Sequence, residues 1–470
     1  MGEHSTDATA RCRVRTGPLL LALAEAMLAV RTRSRARCVS MALRLIKSLS
    51  LLKPELRKPA PAGPERYVRD PIALHGNNRA QLLRRGAEAY PAMLAAIANA
   101  RRSVHMETYI LRSDATGRRF QAALIDCARC GIAVRLMYDS VGSYQLVDDE
   151  FLAELADAGV EIVEYRPLTP WRRTLVERLQ TLRAAALARI GRAPRPRRVL
   201  YEPGHWGFNR RNHHKILVVD DEVAFTGGMN IGDEYAPPPE GGDWYDLHVR
   251  VEGPVARGLA RIFHRSWSEA GGELFPQPLP PLRDHAFRPM LAHTCDNMGL
   301  VQRSRMHAAY RHAIRRAQQR VSIMNAYFIP DQLLRWALGA AAKKGVSVRV
   351  IVPARSDVRL AWLAGRYLYG RLLRAGVRIF EYQGEMLHAK AGVVDGQWAT
   401  IGSFNLDRRS MFHNLEAGVV VLDQEFAGSL EREFEETLAQ CSELRLEEWS
   451  RRPWTTRFAQ WFAHLFAYWL

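Results

Sequence analysis

Two histidines and two lysines in this chain recur at one fixed spacing. Residues 213–230 contain His213-x-Lys215, four residues, Asp220, six residues, then Gly227-Gly228-Met229-Asn230. Residues 388–405 repeat the rule with His388-x-Lys390, Asp395 and Gly402-Ser403-Phe404-Asn405. A phosphodiester gains negative charge toward a five-coordinate transition state, so its catalyst needs fixed cations and donors around the phosphoryl oxygens. Lys215 and Lys390 supply the cations, and Asn230 and Asn405 supply phosphate-binding amides. Histidine works near neutral pH both as nucleophile and as proton donor. Two copies provide one imidazole for each task. Either histidine alone would read as an ordinary core or surface residue; the duplicated spacing reverses that reading.

A nucleophilic imidazole also needs its far nitrogen held by a carboxylate or carbonyl, which fixes the tautomer and stabilises the cation that forms. Aligning the strand after each repeat sets Asp-Trp-Tyr-Asp246-Leu-His-Val opposite Asn-Leu-Glu416-Ala-Gly-Val. This alignment assigns Asp246 to His213 and Glu416 to His388. Asp220 and Asp395 are counted with the catalytic motif but look structural, closing the hairpin and pairing with basic neighbours.

The elements around these residues are readable from pattern. Apolar, β-branched runs flank Asp221-Glu222 in one copy and Gly396-Gln397 in the other, which predicts a tight hairpin in each. His213 and Lys215 share a strand face, as do His388 and Lys390. Each second strand ends in glycine and a small residue before the asparagine, which suits a turn where an anion approaches closely. Between 76 and 165 the pattern alternates: helices over 87–100, 120–130 and 150–158, and strands over 104–111, 133–139 and 160–165. Such alternation implies a sheet with helices on both faces.

The same order returns later. The strand 132–139 matches 346–353, and Ala158-Gly159-Val160 through Tyr165 matches Ala375-Gly376-Val377 through Tyr382. The offset between copies falls from 217 residues there to 175 at the histidines, so the first half carries 42 additional residues. That insertion, at 166–211, holds twelve arginines against two glutamates. Trp171, Leu175, Leu179 and Leu182 recur among the arginines at helical spacing, which predicts a basic amphipathic helix suited to anionic headgroups.

The domain reading is a basic N-terminal segment over 1–75, interfacial or irregular, then a first half over 76–270. A proline-rich linker over 271–289, a second half over 290–445 and an aromatic tail over 446–470 follow. Gly17 to Val30 is a fourteen-residue apolar stretch, short of the ~20 residues that span a bilayer, and Met27 and Met41 are alternative starts. The tail carries Trp454, Phe458, Trp461, Phe462, Phe466 and Trp469, which either cover the core or sit in a membrane interface. Cys127 and Cys130 have zinc or redox spacing but stand alone in a helical pattern, so they read as two helix-face thiols. The formal charge of +18 over 470 residues points to polyanionic partners, either nucleic acid or an anionic membrane.

The duplicated His-x-Lys-x4-Asp pattern resembles the signature of the phospholipase D superfamily, and the resemblance covers about 76–445. Within it, Glu107-Thr108-Tyr109-Ile110-Leu111, Tyr327-Phe328-Ile329-Pro330-Asp331 and Gly402-Ser403-Phe404-Asn405-Leu406-Asp407-Arg408-Arg409-Ser410 are similar to the bacterial cardiolipin synthase branch. The resemblance implies an α/β fold of two pseudo-symmetric phospholipase D-type α/β/α sandwich halves with the active site at their interface. It implies a phosphohistidine intermediate formed on His213. His388 would protonate the departing glycerol and then act as base on the incoming lipid, with no metal and no cofactor. The implied partners are an anionic phospholipid membrane and phosphatidylglycerol, with phosphatidylethanolamine as an alternative second lipid. The implied location is the inner membrane of a bacterial cell, peripheral, on its cytoplasmic face. Position 214, more often arginine in the branch, is His214 here; only His213 has a lysine two residues on. Two competing readings are a phospholipase D-type phosphodiesterase hydrolysing phospholipid or nucleic acid, and a non-catalytic membrane-binding module.

Overall fold

Apolar strands from both halves of the chain enter one shared sheet. The computed structural model describes residues 63–167, 209–239, 241–272, 275, 287, 289–298 and 305–469. The expectations for the chain before residue 63, for the amphipathic helix of the insertion and for most of the linker lie outside the described residues.

The first half runs β1 (His75–Arg84), α1 (Arg85–Ala98), β2 (Ser103–Thr108), α2 (Ala115–Arg129), β3 (Ala133–Asp139), α3 (Asp149–Asp157) and β4 (Glu161–Tyr165). After the insertion come β5 (Arg211–Asn212), β6 (Ile216–Val219), β7 (Val223–Gly227), β8 (Leu247–Glu252) and α4 (Pro254–Glu269). The second half repeats this as β9 (Met290–Asp296), α5 (Arg305–Arg316), β10 (Arg320–Asn325), α6 (Gln332–Lys343), β11 (Ser347–Pro353), α7 (Arg359–Arg374) and β12 (Arg378–Tyr382). It continues with β13 (Lys390–Val394), β14 (Trp398–Gly402), α8 (Arg408–Phe412), β15 (Asn414–Leu415), β16 (Ala417–Leu422) and α9 (Gln424–Leu438). Last come β17 (Cys441–Glu443), α10 (Leu446–Ser450) and α11 (Trp454–Leu465).

Among the described residues the main sheet has the order β17-β12-β11-β10-β13-β14-β16-β9-β1-β8-β7-β6-β2-β3-β4. Apart from the edge strand β17, this order is the same from either end once the halves are exchanged. The halves join where β1 pairs antiparallel with β9, His75 opposite Ala292 and Asn78 opposite Met290. In each half the three crossover strands are parallel and the hairpin runs antiparallel to them.

Strand β6 shows why these segments are apolar throughout. Ile216 and Val218 face a core covered by Val255, Leu259 and Phe263 of α4, while Leu217 and Val219 face one covered by Phe120, Leu124 and Phe151. A strand packed on both faces needs apolar side chains at odd and even positions alike. Several of the helices that build these layers start on aspartates. Asp114 accepts from Gly117 N at 2.9 Å, Asp148 from Phe151 N at 2.6 Å and Asp331 from Leu334 N at 2.8 Å. Each supplies an acceptor to an amide that the helix leaves unpaired.

Both hairpins close with Val219 opposite Val223 and Val394 opposite Trp398. The left-handed residues are Asp220 (φ 56°) and Asp221 (φ 59°), and Asp395 (φ 52°) and Gly396 (φ 61°). The turn therefore sits one residue earlier than the pairs read from the sequence. Aspartate tolerates this backbone region better than most residues, and its carboxylate is used there, as shown below.

The C-terminal tail covers part of the core, as one of its two readings expects, and does so with its small residues. Gln460, Ala463 and Ala467 are buried, the two alanines against Ile329, Ala361, Ala364 and Leu368. The large aromatic side chains of α11 remain exposed.

Candidate active site

Each His-x-Lys segment lies at the start of its hairpin and is held by backbone from the opposite half. His213 N donates to Leu415 O at 2.9 Å, and Arg211-Asn212 of β5 pair in parallel with Asn414-Leu415 of β15. In the related position Tyr245 N donates to Met386 O at 2.9 Å and His388 N to Tyr245 O at 2.7 Å. The residue after each of these contacts is a carboxylate, Glu416 or Asp246.

The consequence corrects the assignment made from the repeats. His213 Nδ1 lies 2.9 Å from Glu416 Oε2, and His388 Nδ1 lies 2.7 Å from Asp246 Oδ2. Both carboxylates orient a histidine, but each serves the histidine of the other half. Alignment identifies equivalent positions; it cannot tell contacts within a half from contacts across the pseudo-two-fold axis.

With both Nδ1 atoms tied to carboxylates, Nε2 is the nitrogen each ring has for chemistry. Lys215 Nζ donates to His213 O at 3.0 Å, and Lys390 Nζ donates to His388 O. Each ammonium is thus folded back beside the imidazole of its own motif. All six groups are buried, and their charges act on one another. Burial, reinforced by Lys215, Lys390 and His388, holds His213 well below the usual histidine range. Burial and Lys390 lower His388 less, because Asp246 opposes them. Burial lowers Lys215 to about 7 and Lys390 to about 8.

The two carboxylates differ. Burial lifts Glu416 to about 7, despite Lys215 and hydrogen bonds from Ser403, Ser410 and Asn414. Asp246 is equally buried, yet Lys390 and His388 bring it below the ordinary aspartate value. His388 therefore faces an ionised partner that favours a proton on its ring. His213 faces a carboxyl that is partly protonated near neutrality, and its own ring is neutral. Both rings lie below the usual histidine range, His213 further than His388, so the neutral, nucleophilic form is favoured more strongly at His213 and a proton is held more readily at His388.

The glycine-small pair read as an anion site is filled by the protein's own carboxylate. A Cβ at Gly228 would collide with the carboxylate of Asp246. At the equivalent position Ser403 keeps its side chain and donates its hydroxyl to Glu416. Ser410 Oγ donates to the other Glu416 oxygen at 2.7 Å.

Asp220 and Asp395 are not in this cluster. Asp220 accepts from the amides of Arg101 (3.0 Å), Arg102 (2.7 Å) and Ser103 (2.9 Å), at the start of β2. Asp395 accepts from Gln318, Gln319 and Arg320 N, each at 2.8 Å, and from Tyr67 Oη at 2.7 Å. They pin the far end of each hairpin to the loop entering the neighbouring strand. Their partners are chiefly backbone amides, where the sequence suggested basic side chains and a place in the catalytic set. β6 separates Asp220 from His213, which is the physical reason the motif's third member stays out of the site.

The asparagines also part company. Asn230 Nδ2 donates to Tyr235 Oη at 2.8 Å and its Oδ1 accepts from Ile110 N at 3.2 Å, so this amide is engaged in positioning. Asn405 Oδ1 is buried and has no hydrogen-bond partner among the described residues. That atom is an acceptor, so it does not itself meet a phosphate. Arg211, counted with the basic insertion, is buried beside Asp139 at 3.6 Å and is no part of a solvated surface.

An aromatic wall escaped the sequence reading. The Tyr109 ring centroid is 4.8 Å from that of His213, and Tyr235, Trp244 and Tyr327 stand 5.7, 5.8 and 6.4 Å from that of His388. Tyr235 Oη is 3.3 Å from His388 Nδ1. Tyr109, Tyr327, Ser403 and Ser410 lay inside stretches singled out by resemblance, so a signal existed for them. His214 points away from His213, fully buried with Nδ1 3.0 Å from Glu107 Oε1.

Among the described residues, His105, Asp221 and His264 offer metal-ligand atoms within 4.8 Å of one another. They lie where α4 covers the sheet, with His105 stacked on Phe263. Arg135 Nη1 sits 3.3 Å from His105 Nε2, a fixed positive charge that opposes a cation there. Cys127 Sγ donates to Ile97 O at 3.2 Å inside the core, while Cys130 is exposed.

A family model described as cardiolipin synthase, PLD-like domain, matches residues 93–267 and 310–438. A cardiolipin synthase from Halalkalibacterium halodurans is 32% identical over 399 residues, covering 83% of this chain and 72% of that protein. Cardiolipin synthase A from Pseudomonas fluorescens is 33% identical over 381 residues, 79% of this chain and 71% of that one. The crystal structure of phosphatidylserine synthase from Haemophilus influenzae superposes on 83% of this chain and 95% of its own, with TM-score 0.54 at 16% identity, a likeness of fold.

Proposed function

The chain belongs to the cardiolipin synthase family of PLD-like proteins, and from that premise we propose a phosphatidyl transfer in which phosphatidylglycerol supplies at least one of the two lipids. His213 Nε2 attacks phosphorus and the bond to the departing glycerol oxygen breaks, while His388 gives that oxygen its proton. The phosphatidyl group then rests on His213 as a phosphohistidine. The primary hydroxyl of the incoming phosphatidylglycerol loses its proton to His388 and attacks, breaking the P–N bond. Lys215, Lys390 and Asn405 stabilise the phosphoryl oxygens, whose charge peaks between these states.

The single observation that carries this reading is the crossed pairing of His213 with Glu416 and His388 with Asp246. It places a carboxylate on the far nitrogen of each ring, and the ionised Asp246 offsets part of the lowering at His388, which supports His213 as the nucleophile and His388 as the proton carrier. Both imidazoles are buried among aromatic rings, which suits an acceptor hydroxyl brought by a lipid better than free water. The enzyme would act as a peripheral protein at the cytoplasmic face of the inner membrane. No helix among the described residues is long and apolar enough to cross a membrane.

The test is incubation of purified protein with labelled phosphatidylglycerol, with and without a chelator, and separately with plasmid DNA. A diphosphatidyl product with glycerol release supports the proposal. Phosphatidic acid alone would make the protein a hydrolase, and nicked DNA without lipid product would overturn the lipid assignment. Offering phosphatidylethanolamine as the donor beside phosphatidylglycerol as the acceptor, and reading ethanolamine against glycerol release, identifies the second lipid.

A further inference from the structure

The C-terminal helix is divided lengthwise. Ala463 and, just beyond the helix, Ala467 pack on Ala361, Ala364 and Leu368 of α7, and Gln460 is buried beside them. Trp454, Phe458, Trp461, Phe462 and Leu465 recur at spacings of three and four residues and are all exposed, Trp454 at 75%. That spacing gathers them on one side of the helix. An apolar patch of this kind marks an interaction surface.

Beside the aromatic face lies an open groove of about 770 Å³. Its lining includes Arg371, Arg374, Arg452 and Arg457 and no carboxylate. Aromatic rings flanked by uncompensated arginines match the two layers of a membrane interface, where amphipathic rings sit at headgroup depth and cations meet lipid phosphates. A second copy of the chain is a poorer occupant, because a two-fold contact through this face would set the arginines against themselves.

The face is also close to the chemistry. Tyr327, whose ring is 6.4 Å from that of His388, packs against the cluster that joins α7 to the tail. Arg409 Nη1 donates to Trp469 O at 3.1 Å, and the next residue, Ser410, holds Glu416.

We propose that the exposed face of α11 and the adjoining arginine groove dock on an anionic phospholipid bilayer, with the rings in the interface and the arginines on lipid phosphates. Docking there holds the active site at the surface from which its substrates come. The inference rests on the reading that the substrates are bilayer phospholipids.

The experiment is flotation of the full chain with vesicles of phosphatidylcholine alone and of phosphatidylcholine with phosphatidylglycerol. Alongside it, phosphatidyl transfer is measured on lipid dispersed in detergent micelles. The triple variant Trp454→Ser, Phe458→Ser, Trp461→Ser is expected to lose roughly tenfold or more in partition to both vesicle types. The pair Arg374→Gln, Arg457→Gln is expected to lose roughly tenfold on the anionic vesicles only, together with much of the salt dependence. Both variants should keep micellar turnover within about twofold of the parent, given their distance in sequence and role from the histidines. Unchanged flotation of either variant overturns the proposal, as does a change in sedimentation with vesicle binding intact, which would assign the face to self-association. If the parent floats but makes no diphosphatidyl product in micelles, the reaction assignment fails while the docking result still stands.

Discussion

Glu416 Oε2 lies 2.9 Å from Nδ1 of His213, a residue 203 positions earlier and in the other half of the chain. Asp246 holds His388 in the same crossed manner. Neither half contains the carboxylate that holds its own motif histidine, so each half lends the other its orienting group.

The crossed pairs should appear in kinetics as two coupled units. His213→Ala and Glu416→Gln are expected to act on formation of the covalent intermediate, and His388→Ala and Asp246→Asn on the proton given to the leaving group. General acid–base contributions are roughly 10²–10⁴-fold, so each carboxylate variant should lose activity in that range while folding normally. Double variants within a crossed pair should cost little more than the worse single one. Additive losses for His213 with Glu416, alongside non-additive losses for His213 with Asp246, would restore pairing within halves.

The division between nucleophile and acid is separable by leaving group. A phosphodiester with a nitrophenolate leaving group needs little protonation as it departs. His388→Ala should therefore still label itself at His213 with such a donor, whereas His213→Ala should not. Rapid-quench trapping of the phosphoenzyme reads this directly, and labelling of the His213→Ala chain would exchange the two roles.

The lysines predict an alkaline limb. Lys215 and Lys390 are lowered by burial to about 7 and about 8, so their positive charges are lost as pH rises through that window. The kcat/KM profile, which reports free-enzyme ionisations, should begin to fall near pH 7 and steepen above about pH 8. Lys390→Arg keeps its charge at all accessible pH. Whatever activity it retains should keep the first fall and lose the steeper part above about pH 8. An identical limb in that variant would assign the fall to another group.

Asp220 and Asp395 should behave as structural residues. Each holds several backbone amides, and leaving such donors unpaired costs about 1–3 kcal/mol. Asp220→Ala and Asp395→Ala should lower the unfolding free energy by about 1–3 kcal/mol, with kcat per folded molecule within about twofold. Burial alone would raise Asp395, but the amides of Arg320, Gln318 and Gln319 and the Tyr67 hydroxyl hold it below the ordinary value. Its contribution is therefore present above the unfolded aspartate pKa and is lost as pH falls through the lower folded one. The stability gap between parent and Asp395→Ala should narrow in acid. A large loss of kcat with unchanged stability would return either residue to the catalytic set.

The small residue before each asparagine offers a further contrast. Gly228→Ala places a methyl group against the Asp246 carboxylate and should disable His388 strongly. Ser403→Ala removes one of three side-chain donors to Glu416 and should cost far less, because Ser410 and Asn414 remain. Equal losses at the two positions would show that Gly228 matters for some other reason.

What the sequence by itself determined was everything carried by periodicity and repetition. Continuous apolar runs defined the strands, and the duplicated spacing selected His213, Lys215, His388 and Lys390. The shift in offset located an insertion, and the alignment found both carboxylates. Local signals suffice there because apolar runs, helix caps and turns are set by neighbours a few residues away. Only the tertiary structure decided which carboxylate meets which imidazole. A repeat fixes positions that are equivalent under a two-fold operation, and that equivalence holds whether contacts fall within a half or across the axis. The same limit hid the wall of Tyr109, Tyr235, Trp244 and Tyr327. It also hid the amides that Asp220 and Asp395 hold, since motif spacing counts residues while a strand carries successive members to opposite ends of a hairpin. The aromatic tail shows the remaining case: its amphipathic pattern was legible, but which side met protein depended on the alanines of a helix roughly ninety residues away finding one another.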